Sequence, residues 1–469
     1  MNQNNDTICA VATPAGGAIS LIRISGPEAI SIADRIFTPA SGKPLRERKP
    51  YSLCYGQIMD DQDTILDDVV ASIFRAPHSY TGEDSIELSC HGSIYIAQQI
   101  VALLIMNGCR QACPGEFTQR AFLSGKMDLS QAEAVADLIA STSAASHRLA
   151  MNQMKGGFSR KLRELRDKLL ELTSLMELEL DFSEENVEFA DRTHLDSLAA
   201  AIEGTLTTLS DSFKTGDAIR NGIPVAIIGR TNTGKSTLLN LLLNDDKAIV
   251  SDIQGTTRDS IEDTVTIGGT LFRLTDTAGI RHSDDTIEQL GIERSFRKAS
   301  AADIIIYLTD CSQPTTENDL ELADRLHSLS STKTLIRVHN KCDLLPDIPV
   351  PVVYTDHPNP ASNHVEHEIY ISAKQEINID NLKHILLHSA ETHLSTNNDV
   401  IVTNMRHFEA ISHALDCIRR ARSGITSNLP TDLLSQDTRE CIHHLSDILG
   451  EVTTDQVLQN IFSHFCIGK

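Results

Sequence analysis

Short apolar runs and helical repeats alternate over the first 125 residues of the chain. Apolar residues dominate the stretches 7–12 and 19–24, and Pro14 and Gly16 interrupt the chain between them. Repeats with apolar residues three or four positions apart lie among such runs, as is typical of amphipathic helices. The pattern predicts strands at 7–12, 19–24, 68–74 and 85–89 and helices at 27–37 and 94–106. It indicates a small sheet with helices on one face.

Helical spacing dominates from about residue 115 to residue 215. It predicts helices at 117–123, 129–143, 144–180 and 195–209, so residues 126–215 should form a helical bundle. Ser130 and Glu133 precede an apolar pair, as the two ends of a capping box do. We interpret the acidic stretch 181–188 as a solvated loop. A metal site is the alternative, because these carboxylates follow no recognised loop pattern.

A third pattern begins near residue 220, where an apolar run at 223–228 precedes a helical repeat at 237–243. Strand-like runs follow at 271–274 and 334–339, and helical spacing returns at 380–394, 402–422 and 437–449. We therefore predict domains at 1–125, 126–219, 220–378 and 379–469. The domain at 220–378 interrupts a helical domain, which a chain tolerates when the termini of the insert lie close together.

Composition restricts the classes of protein. With 469 residues and 41% hydrophobic content, the chain can form two to four domains with ordinary cores. Its formal net charge of −23 argues against a wide basic face for nucleic acid, although a local basic site stays possible. None of the ten cysteines forms C-x-x-C, and no secretory signal or long apolar run is present. We expect a cytoplasmic protein with free thiols and no membrane span.

The stretch 229–236, GRTNTGKS, fits the phosphate-loop pattern G-x-x-x-x-G-K-[ST] at every fixed position. It stands between a predicted strand and a predicted helix, which is the context that the motif needs. Glycine lets the backbone N–H groups face phosphate oxygens, and the start of the helix adds positive charge. Lys235 should reach the outer phosphates and Ser236 should bind Mg²⁺. The alternative is a chance glycine turn.

Three later motifs follow in the order found in GTPases. The stretch 276–279 (DTAG) can supply an Asp for Mg²⁺ and a glycine N–H for the last phosphate. The stretch 340–343 (NKCD) resembles the guanine signature N-K-x-D, and 372–374 (SAK) resembles the loop behind the guanine ring. GTP is thus the predicted substrate. The residues assigned to it are Asn232, Thr233, Gly234, Lys235, Ser236, Thr237, Asp276, Thr277, Ala278, Gly279, Asn340, Lys341, Asp343, Ser372, Ala373 and Lys374.

Further stretches point to one family. They are GTTRD at 255–259, GIER at 291–294, the terminal CIGK, RISG at 23–26, YTGED at 80–84, PGEF at 114–117 and DLSQAEA at 128–134. Together they resemble the tRNA modification GTPase family MnmE, also called TrmE. The resemblance spans essentially the whole chain.

The resemblance implies a multidomain α+β fold. Its parts are an N-terminal α+β domain for tetrahydrofolate binding and dimerisation, a helical domain, and an inserted Ras-like α/β P-loop GTPase domain. It implies GTP hydrolysis coupled to addition of a carboxymethylaminomethyl or aminomethyl group at carbon 5 of the tRNA wobble uridine. The implied cofactors are Mg²⁺, K⁺ and 5,10-methylene- or 5-formyl-tetrahydrofolate.

The implied partners are a second copy of the chain and an FAD-dependent MnmG (GidA) protein in a heterotetramer, with tRNA contacted largely through that protein. A ribosome-associated or assembly GTPase acting as a binding switch is the alternative function. Such proteins would be expected to carry a basic RNA-binding appendage, whereas this chain is acidic and ends in CIGK.

For folate, the resemblance implies contacts at Arg23, Glu87 and Lys126, with Lys469 at the terminus. Arg23 and Lys126 suit the anionic glutamate tail, and Glu87 suits the pterin N–H groups. Ordinary surface salt bridges are the alternative. Cys466 is implied as a nucleophile or acid in one-carbon transfer, and a buried structural thiol is the alternative.

For hydrolysis, the position after DTAG is Ile280 and not the water-orienting Gln of Ras-like enzymes. The resemblance implies K⁺ in the place of an arginine finger, held by Asn232 and by the positions Ser251, Ile253 and Thr256. It implies Thr257 beside Ser236 on Mg²⁺. Glu288 would orient the water; the alternative for Glu288 is a solvated helix residue. The other loop residues assigned to the nucleotide are Asp252, Gln254 and Gly255.

Overall fold

The computed structural model describes residues 6–468 with gaps at 15, 61–63, 182–191, 245–262, 275–295, 297–298, 315, 330–332, 346–365, 395–399, 428, 453 and 464. The chain forms two compact units. Unit one comprises Met1–Ala136, Gln153–Leu170 and Ile442–Lys469, and unit two comprises Asp137–Asn152 and Glu171–Cys441. The predicted domain boundaries at 125, 219 and 378 stay predictions, and the acidic stretch 182–188 lies outside the described residues.

A seven-stranded sheet forms the centre of unit one. Its strands are β1 (Ile8–Val11), β2 (Ile19–Ser25), β3 (Phe37–Pro39), β4 (Ser52–Met59), β5 (Ile65–Phe74), β6 (Ser85–His91) and β7 (Arg110–Gln111). The order is β3-β4-β5-β6-β2-β1-β7, and only β1 and β7 pair in parallel. The sequence pattern missed β4, because one of its inward positions is Gly56 and not an apolar side chain. Phe37 fills the space that a side chain of residue 56 would occupy.

Helices α1 (Ala29–Ile36) and α2 (Ile94–Met106) pack against one face of this sheet. The strand residues that meet them recur at every second position, as the strand period requires. Ile22 and Ile24 of β2 and Leu88 of β6 are fully buried in this core. The predicted placement of helices on one face is therefore confirmed for α1 and α2.

Helix α3 (Glu116–Leu123) packs on the opposite face of the sheet at β1. Ile8 and Ala10 alternate with Cys9 along β1, and so they point away from α1 and α2. They form a small buried cluster with Phe117 of α3. This second face carries the predicted folate residue Arg23, because Arg23 lies between the inward residues Ile22 and Ile24.

The remaining helices include two that were not predicted, Glu317–Leu329 and Asp455–Ser463, and one, Arg192–Asn221, that continues past its predicted end at residue 209. They are α4 (Leu129–Ala140), α5 (Ala144–Met154), α6 (Gly157–Asp181), α7 (Arg192–Asn221), α8 (Lys235–Asn244), α9 (Glu317–Leu329), α10 (Ile379–Leu394), α11 (Met405–Thr426), α12 (Thr431–Leu449) and α13 (Asp455–Ser463). Among the described helices, none combines the length and the hydropathy of a membrane span.

Three other helix predictions were wrong in detail. The single helix predicted at 144–180 is broken at Gly156, where φ is +77°. Helix α11 begins at Met405 and not at residue 402, because Asn404 is extended and its side chain caps the helix, accepting the Arg406 N–H at 3.0 Å. The capping box of α4 lies two residues earlier than predicted. Asp128 and Gln131 exchange backbone-to-side-chain hydrogen bonds, both 3.0 Å long.

A six-stranded sheet forms the centre of unit two. Its strands are β8 (Ile223–Ile228), β9 (Asp263–Ile267), β10 (Thr270–Leu274), β11 (Ile304–Asp310), β12 (Thr334–Asn340) and β13 (Glu366–Tyr370). The order is β13-β12-β11-β8-β10-β9, and only β9 and β10 are antiparallel. Buried residues on both faces of the strands pack against α8, α9 and α10, as in other parallel sheets. The chain therefore has the multidomain α+β architecture predicted from its sequence.

Candidate functional site

The phosphate loop of unit two joins β8 to α8 through a tightly packed turn. Gly234 has φ +98°, and a Cβ added there would lie 2.2 Å from Nδ2 of Asn340. A Cβ added to Gly229 would lie 2.2 Å from the carbonyl oxygen of Leu308. Both positions therefore require glycine, because any side chain would collide with the neighbouring strands. Asn232, at the tip, is also left-handed at φ +64°.

Lys235 closes this loop from the first turn of α8. Its ammonium donates to the carbonyl oxygen of Gly229 at 2.7 Å and to that of Arg230. The Thr233 hydroxyl donates to the same Arg230 carbonyl at 2.9 Å. These bonds hold the cation beside the N-terminus of α8, where an anion is favoured. Ser236 and Thr237 are exposed on the same turn.

Asn340 connects three of the predicted nucleotide loops. It is the last residue of β12 and is almost fully buried. Its side-chain amide donates to the carbonyl oxygen of Thr233 at 2.7 Å, and its side-chain oxygen accepts from the backbone N–H of Ala373 at 2.9 Å. Asn340 thus braces the phosphate loop and the stretch 372–374, a role that the motif alone did not reveal.

Lys341 and Asp310 form an ion pair beside Asn340. Lys341 has φ +68°, and its ammonium lies 2.6 Å from the Asp310 carboxylate. Burial acts to raise the pKa of Asp310, but the hydrogen bonds from Lys341 and Ser312 outweigh it and hold that pKa below its usual range. Sequence reasoning missed Asp310; the apolar run at 304–308 that precedes it was the available signal.

The residues predicted to read guanine lie at the same edge of the sheet. Asp343 is half-buried in a single 3₁₀ turn, Cys342–Leu344, and the backbone N–H of Cys342 bonds to Ile371 at 3.1 Å. The Ser372 hydroxyl accepts from the backbone N–H of Gln375 at 3.1 Å, and Lys374 is exposed. Because β8, β11, β12 and β13 are parallel, the loops after them meet at one edge, where open α/β sheets bind ligands.

Part of the predicted nucleotide site lies outside the described residues. This holds for the stretches 251–257 and 276–279 and for Glu288. The predicted folate residue Lys469 also lies outside the described residues. The assignments of Ser251, Ile253, Thr256 and Thr257 to metal ions therefore stay predictions. Of the predicted metal ligands, the described ones are Asn232 and Ser236, both exposed at the phosphate loop.

In unit one, Arg23 and Glu87 form a pair across neighbouring strands. They are directly opposite in the β2–β6 register, and the Arg23 Nη2 lies 2.8 Å from the Glu87 Oε1. The guanidinium carbon lies 5.1 Å from the ring centre of Tyr80 and 5.6 Å from that of Phe117. Both charged side chains keep some exposure, 16% and 21%. The predicted arginine is thus engaged with the predicted glutamate, between two aromatic rings.

Lys126 and Cys466 are both exposed in this unit. The Lys126 ammonium donates to the Pro77 carbonyl at 2.8 Å. The Cys466 carbonyl accepts from the backbone N–H of Gly115 at 3.3 Å, which fixes the terminal segment at the start of α3. The Cys466 thiol is exposed, so the prediction of a buried structural thiol does not describe it.

Close packing holds the terminal CIGK segment against β1. A Cβ at Gly468 would lie 2.3 Å from the Val11 carbonyl. Val11 is adjacent to Ala10, which is the register partner of Arg23. The segment therefore contacts β1 one residue away from the position that pairs with Arg23 of β2.

Buried charges fix the first turn of α3, and of their pairs only Glu116–Arg120 has the i,i+4 spacing that a helical sequence would indicate. Arg120 is only 5% exposed and bonds to Glu116 at 3.0 Å and to Asp6 at 2.6 Å. It also lies 3.2 Å from Glu83. Burial acts to raise the pKa of Glu116, but hydrogen bonds from Arg110, Cys113 and Arg120 hold that pKa below its usual range. This cluster positions Phe117 next to Arg23.

Comparisons with known proteins find relatives along almost the whole chain. Residues 7–126 match the family model of the GTP-binding protein TrmE N-terminus, and residues 129–466 match that of the MnmE helical domain. The chain is 59% identical to the tRNA modification GTPase MnmE of Bacteroides fragilis, over 99% of this chain and 100% of that protein. It is 58% identical to the protein of the same name from Bacteroides thetaiotaomicron, with the same coverage. A third, from Flavobacterium psychrophilum, is 49% identical over 99% of both chains.

Proposed function

Because this chain belongs to the MnmE family of tRNA modification GTPases, we propose that it couples GTP hydrolysis to modification of carbon 5 of the tRNA wobble uridine. The group added is carboxymethylaminomethyl or aminomethyl, and a 5,10-methylene- or 5-formyl-tetrahydrofolate supplies the carbon. The chain works as a homodimer, joined in a heterotetramer to an FAD-dependent partner of the MnmG (GidA) type. That partner makes most of the tRNA contact, consistent with the net charge of −23.

The observation that carries the folate proposal is the Arg23–Glu87 pair between the rings of Tyr80 and Phe117. A partly exposed carboxylate is a strong acceptor for paired N–H groups such as those of a pterin edge. The rings supply apolar area for a flat heterocycle. The site therefore offers both a charged acceptor and an apolar surface, as a reduced folate needs. An ordinary surface ion pair would lack the apolar surface.

Three side chains would hold the cofactor in this proposal. Glu87 accepts hydrogen bonds from the pterin, and Arg23 holds that carboxylate in place through their 2.8 Å ion pair. Lys126, exposed in the turn that follows α3, attracts the carboxylates of the glutamate tail. The bound folate supplies a one-carbon unit, and Cys466 on the neighbouring terminal segment acts on it as a nucleophile or acid.

Folate binding can be tested with one conservative change. Glu87→Gln keeps the size of the side chain but removes its charge, and loss of a charged acceptor costs about 1.5–3 kcal/mol, roughly ten- to a hundredfold in affinity. The control is Glu28→Gln, which removes a carboxylate from an exposed pair with Arg35 whose atoms are 3.9 Å apart. Calorimetric titration with 5-formyl-tetrahydrofolate should show weaker binding in the first variant only. Equal binding by both would refute the assignment.

For hydrolysis, the chain lacks the water-orienting Gln, because Ile280 occupies its position. We propose that Ser236 and Thr257 hold Mg²⁺ and that Asn232 holds K⁺ together with the carbonyl groups of 251, 253 and 256. The ions would neutralise charge that develops on the phosphates. Glu288 orients the attacking water, so its loss should slow turnover and leave GTP affinity nearly unchanged.

The cation proposal is tested by steady-state GTP hydrolysis at matched ionic strength in K⁺ and in Na⁺. An arginine finger gives about 10³–10⁵ in rate, and a monovalent ion with a more diffuse field should give less. Asn232→Gly removes the amide without straining the φ of +64°, and it should abolish the acceleration by K⁺. The neighbouring exposed change Thr231→Ala is the control. Equal rates in the two salts would exclude the cation mechanism and leave the GTPase assignment intact.

A further inference from the structure

A basic segment lies in unit one of this acidic chain. Residues 35–49 contain five cationic side chains and one carboxylate, Glu47, whereas the formal net charge of the whole chain is −23. The segment runs from the last turn of α1 through β3 to the loop before β4. The five cations, called here the basic segment, are Arg35, Lys43, Arg46, Arg48 and Lys49.

Most of these cations are exposed to solvent, and few of them have a carboxylate close by. Arg35 and Arg46 are 54% and 69% exposed, and their ion pairs with Glu28 and Asp34 are both 3.9 Å long. Lys43 is exposed and, within the described ranges, no carboxylate lies in ion-pair distance of its ammonium; the same holds for Lys49. Arg48 donates to the Lys43 carbonyl and the Ser41 hydroxyl, which leaves its charge unneutralised.

The nearby carboxylates are already engaged by other groups. Asp34 accepts hydrogen bonds from the backbone N–H groups of Leu45 and Arg46 at 2.6 and 3.1 Å. Asp84 lines the same 470 Å³ cavity as Arg46 and accepts from Arg75 at 3.2 Å. The bonds to Asp34 also fix the turn Leu45–Glu47 against α1, so the cations of the basic segment stand on a rigid support.

We propose that the basic segment binds the phosphate backbone of the tRNA substrate. Exposed lysine and arginine side chains neutralise phosphates and release counterions, which is the main source of affinity for nucleic acid. Because the chain as a whole carries a net charge of −23, RNA is attracted only where cations are clustered, as they are in this segment. An acidic face of a protein partner would compete for the same charges, but the family acts on tRNA, which carries a charge at every phosphate.

The test is tRNA binding by the full chain carrying Lys43→Gln, Arg46→Gln and Lys49→Gln. Anisotropy of labelled unmodified tRNA is followed between about 50 and 200 mM salt, the range over which phosphate contacts lose most affinity. The dissociation constant should rise about tenfold or more, and the slope of log K against log salt should fall by about three, one for each lost contact.

A matched control removes the same charge from cations of unit two that are already paired with carboxylates. Arg419→Gln, Arg420→Gln and Arg439→Gln change three exposed side chains that pair with Glu203, Asp437 and Glu177, and the salt slope of this variant should stay at the value of the unaltered chain. Both triple variants should hydrolyse GTP normally, which shows that they are folded. An equal effect in both variants would overturn the proposal, and so would an unaltered chain without salt-dependent tRNA binding.

Binding to the FAD-dependent partner gives one further outcome. If the triple variant loses that partner but keeps tRNA, the segment is a protein interface and the proposal is wrong. The inference rests on the proposed action on tRNA and not on the folate or potassium chemistry. Its failure would therefore leave the folate and potassium results unchanged, and tRNA nucleoside analysis would report separately on the proposed function.

Discussion

Asn340→Ala tests whether this residue braces the nucleotide loops. The native amide spans from the Thr233 carbonyl, at 2.7 Å, to the Ala373 N–H, at 2.9 Å, in a position that is 3% exposed. Alanine removes both hydrogen bonds and leaves a buried carbonyl and a buried N–H without these partners. The phosphate loop and the stretch 372–374 would then be fastened to β12 only by backbone contacts.

The magnitude follows from the two groups that lose their partners. Each unsatisfied buried group costs about 1–3 kcal/mol, so the free energy of unfolding of unit two should fall by about 2–6 kcal/mol. If water entered the vacated space and bonded to these two groups, the loss of stability would lie at the lower end of that range. Because GTP must then order both loops, its affinity should fall at least about tenfold, which corresponds to about 1.4 kcal/mol.

The assay pairs calorimetric unfolding with titration of a fluorescent GTP analogue. Asn381→Ala is the control, since Asn381 is exposed on α10 and its hydrogen bond to Asn378 is 3.4 Å long. The free energy of unfolding of this variant should stay within about 0.5 kcal/mol of that of the unaltered chain. If Asn340→Ala unfolds and binds nucleotide like Asn381→Ala, the bracing argument is refuted.

Three further predictions concern other residues. Asp343→Asn should lose GTP and gain xanthosine triphosphate in a competition assay, and a preference of the unaltered chain for ATP would contradict the guanine assignment. Cys466→Ser should abolish tRNA modification with GTP hydrolysis near normal, and intact modification would leave only a structural role. The lowered pKa of Asp310 adds stability that is present above pH 3.8, its ordinary value, and is lost as pH falls through the native pKa. The unfolding free-energy advantage of the unaltered chain over Asp310→Asn should therefore be constant near neutral pH and shrink in acid.

The nucleotide edge of unit two was predictable because its chemistry is local in sequence. The glycines at 229 and 234 and the strand before them lie within a dozen residues, and the structure places them as the motif requires. The bracing by Asn340 was not predictable, because its partner Thr233 is 107 positions away. The motif identified Asn340, but it did not show that the side-chain amide bonds to the backbone of two other loops.

Long-range charge pairing explains most of what the sequence did not predict. Arg120 and Asp6 are 114 positions apart, and nothing in their spacing indicates that one neutralises the other. Arg23 and Glu87 were predicted separately, as a tail contact and a pterin contact, but the sheet register makes them partners. Two helix boundaries were predicted wrongly for a different reason. The local backbone conformation at Asn404 and Gly156 sets them, and apolar spacing carries no information about that conformation.

Mass analysis of tRNA nucleosides tests the central proposal most directly. Unmodified tRNA is incubated with this chain, the FAD-dependent partner, GTP in K⁺ and methylenetetrahydrofolate, with glycine or ammonium supplied in separate reactions. A carboxymethylaminomethyl or aminomethyl uridine should appear at the wobble position. It should be absent when GTP or folate is omitted and absent with the Glu87→Gln variant. An unmodified wobble uridine in the complete reaction, while the chain hydrolyses GTP, would contradict the proposal.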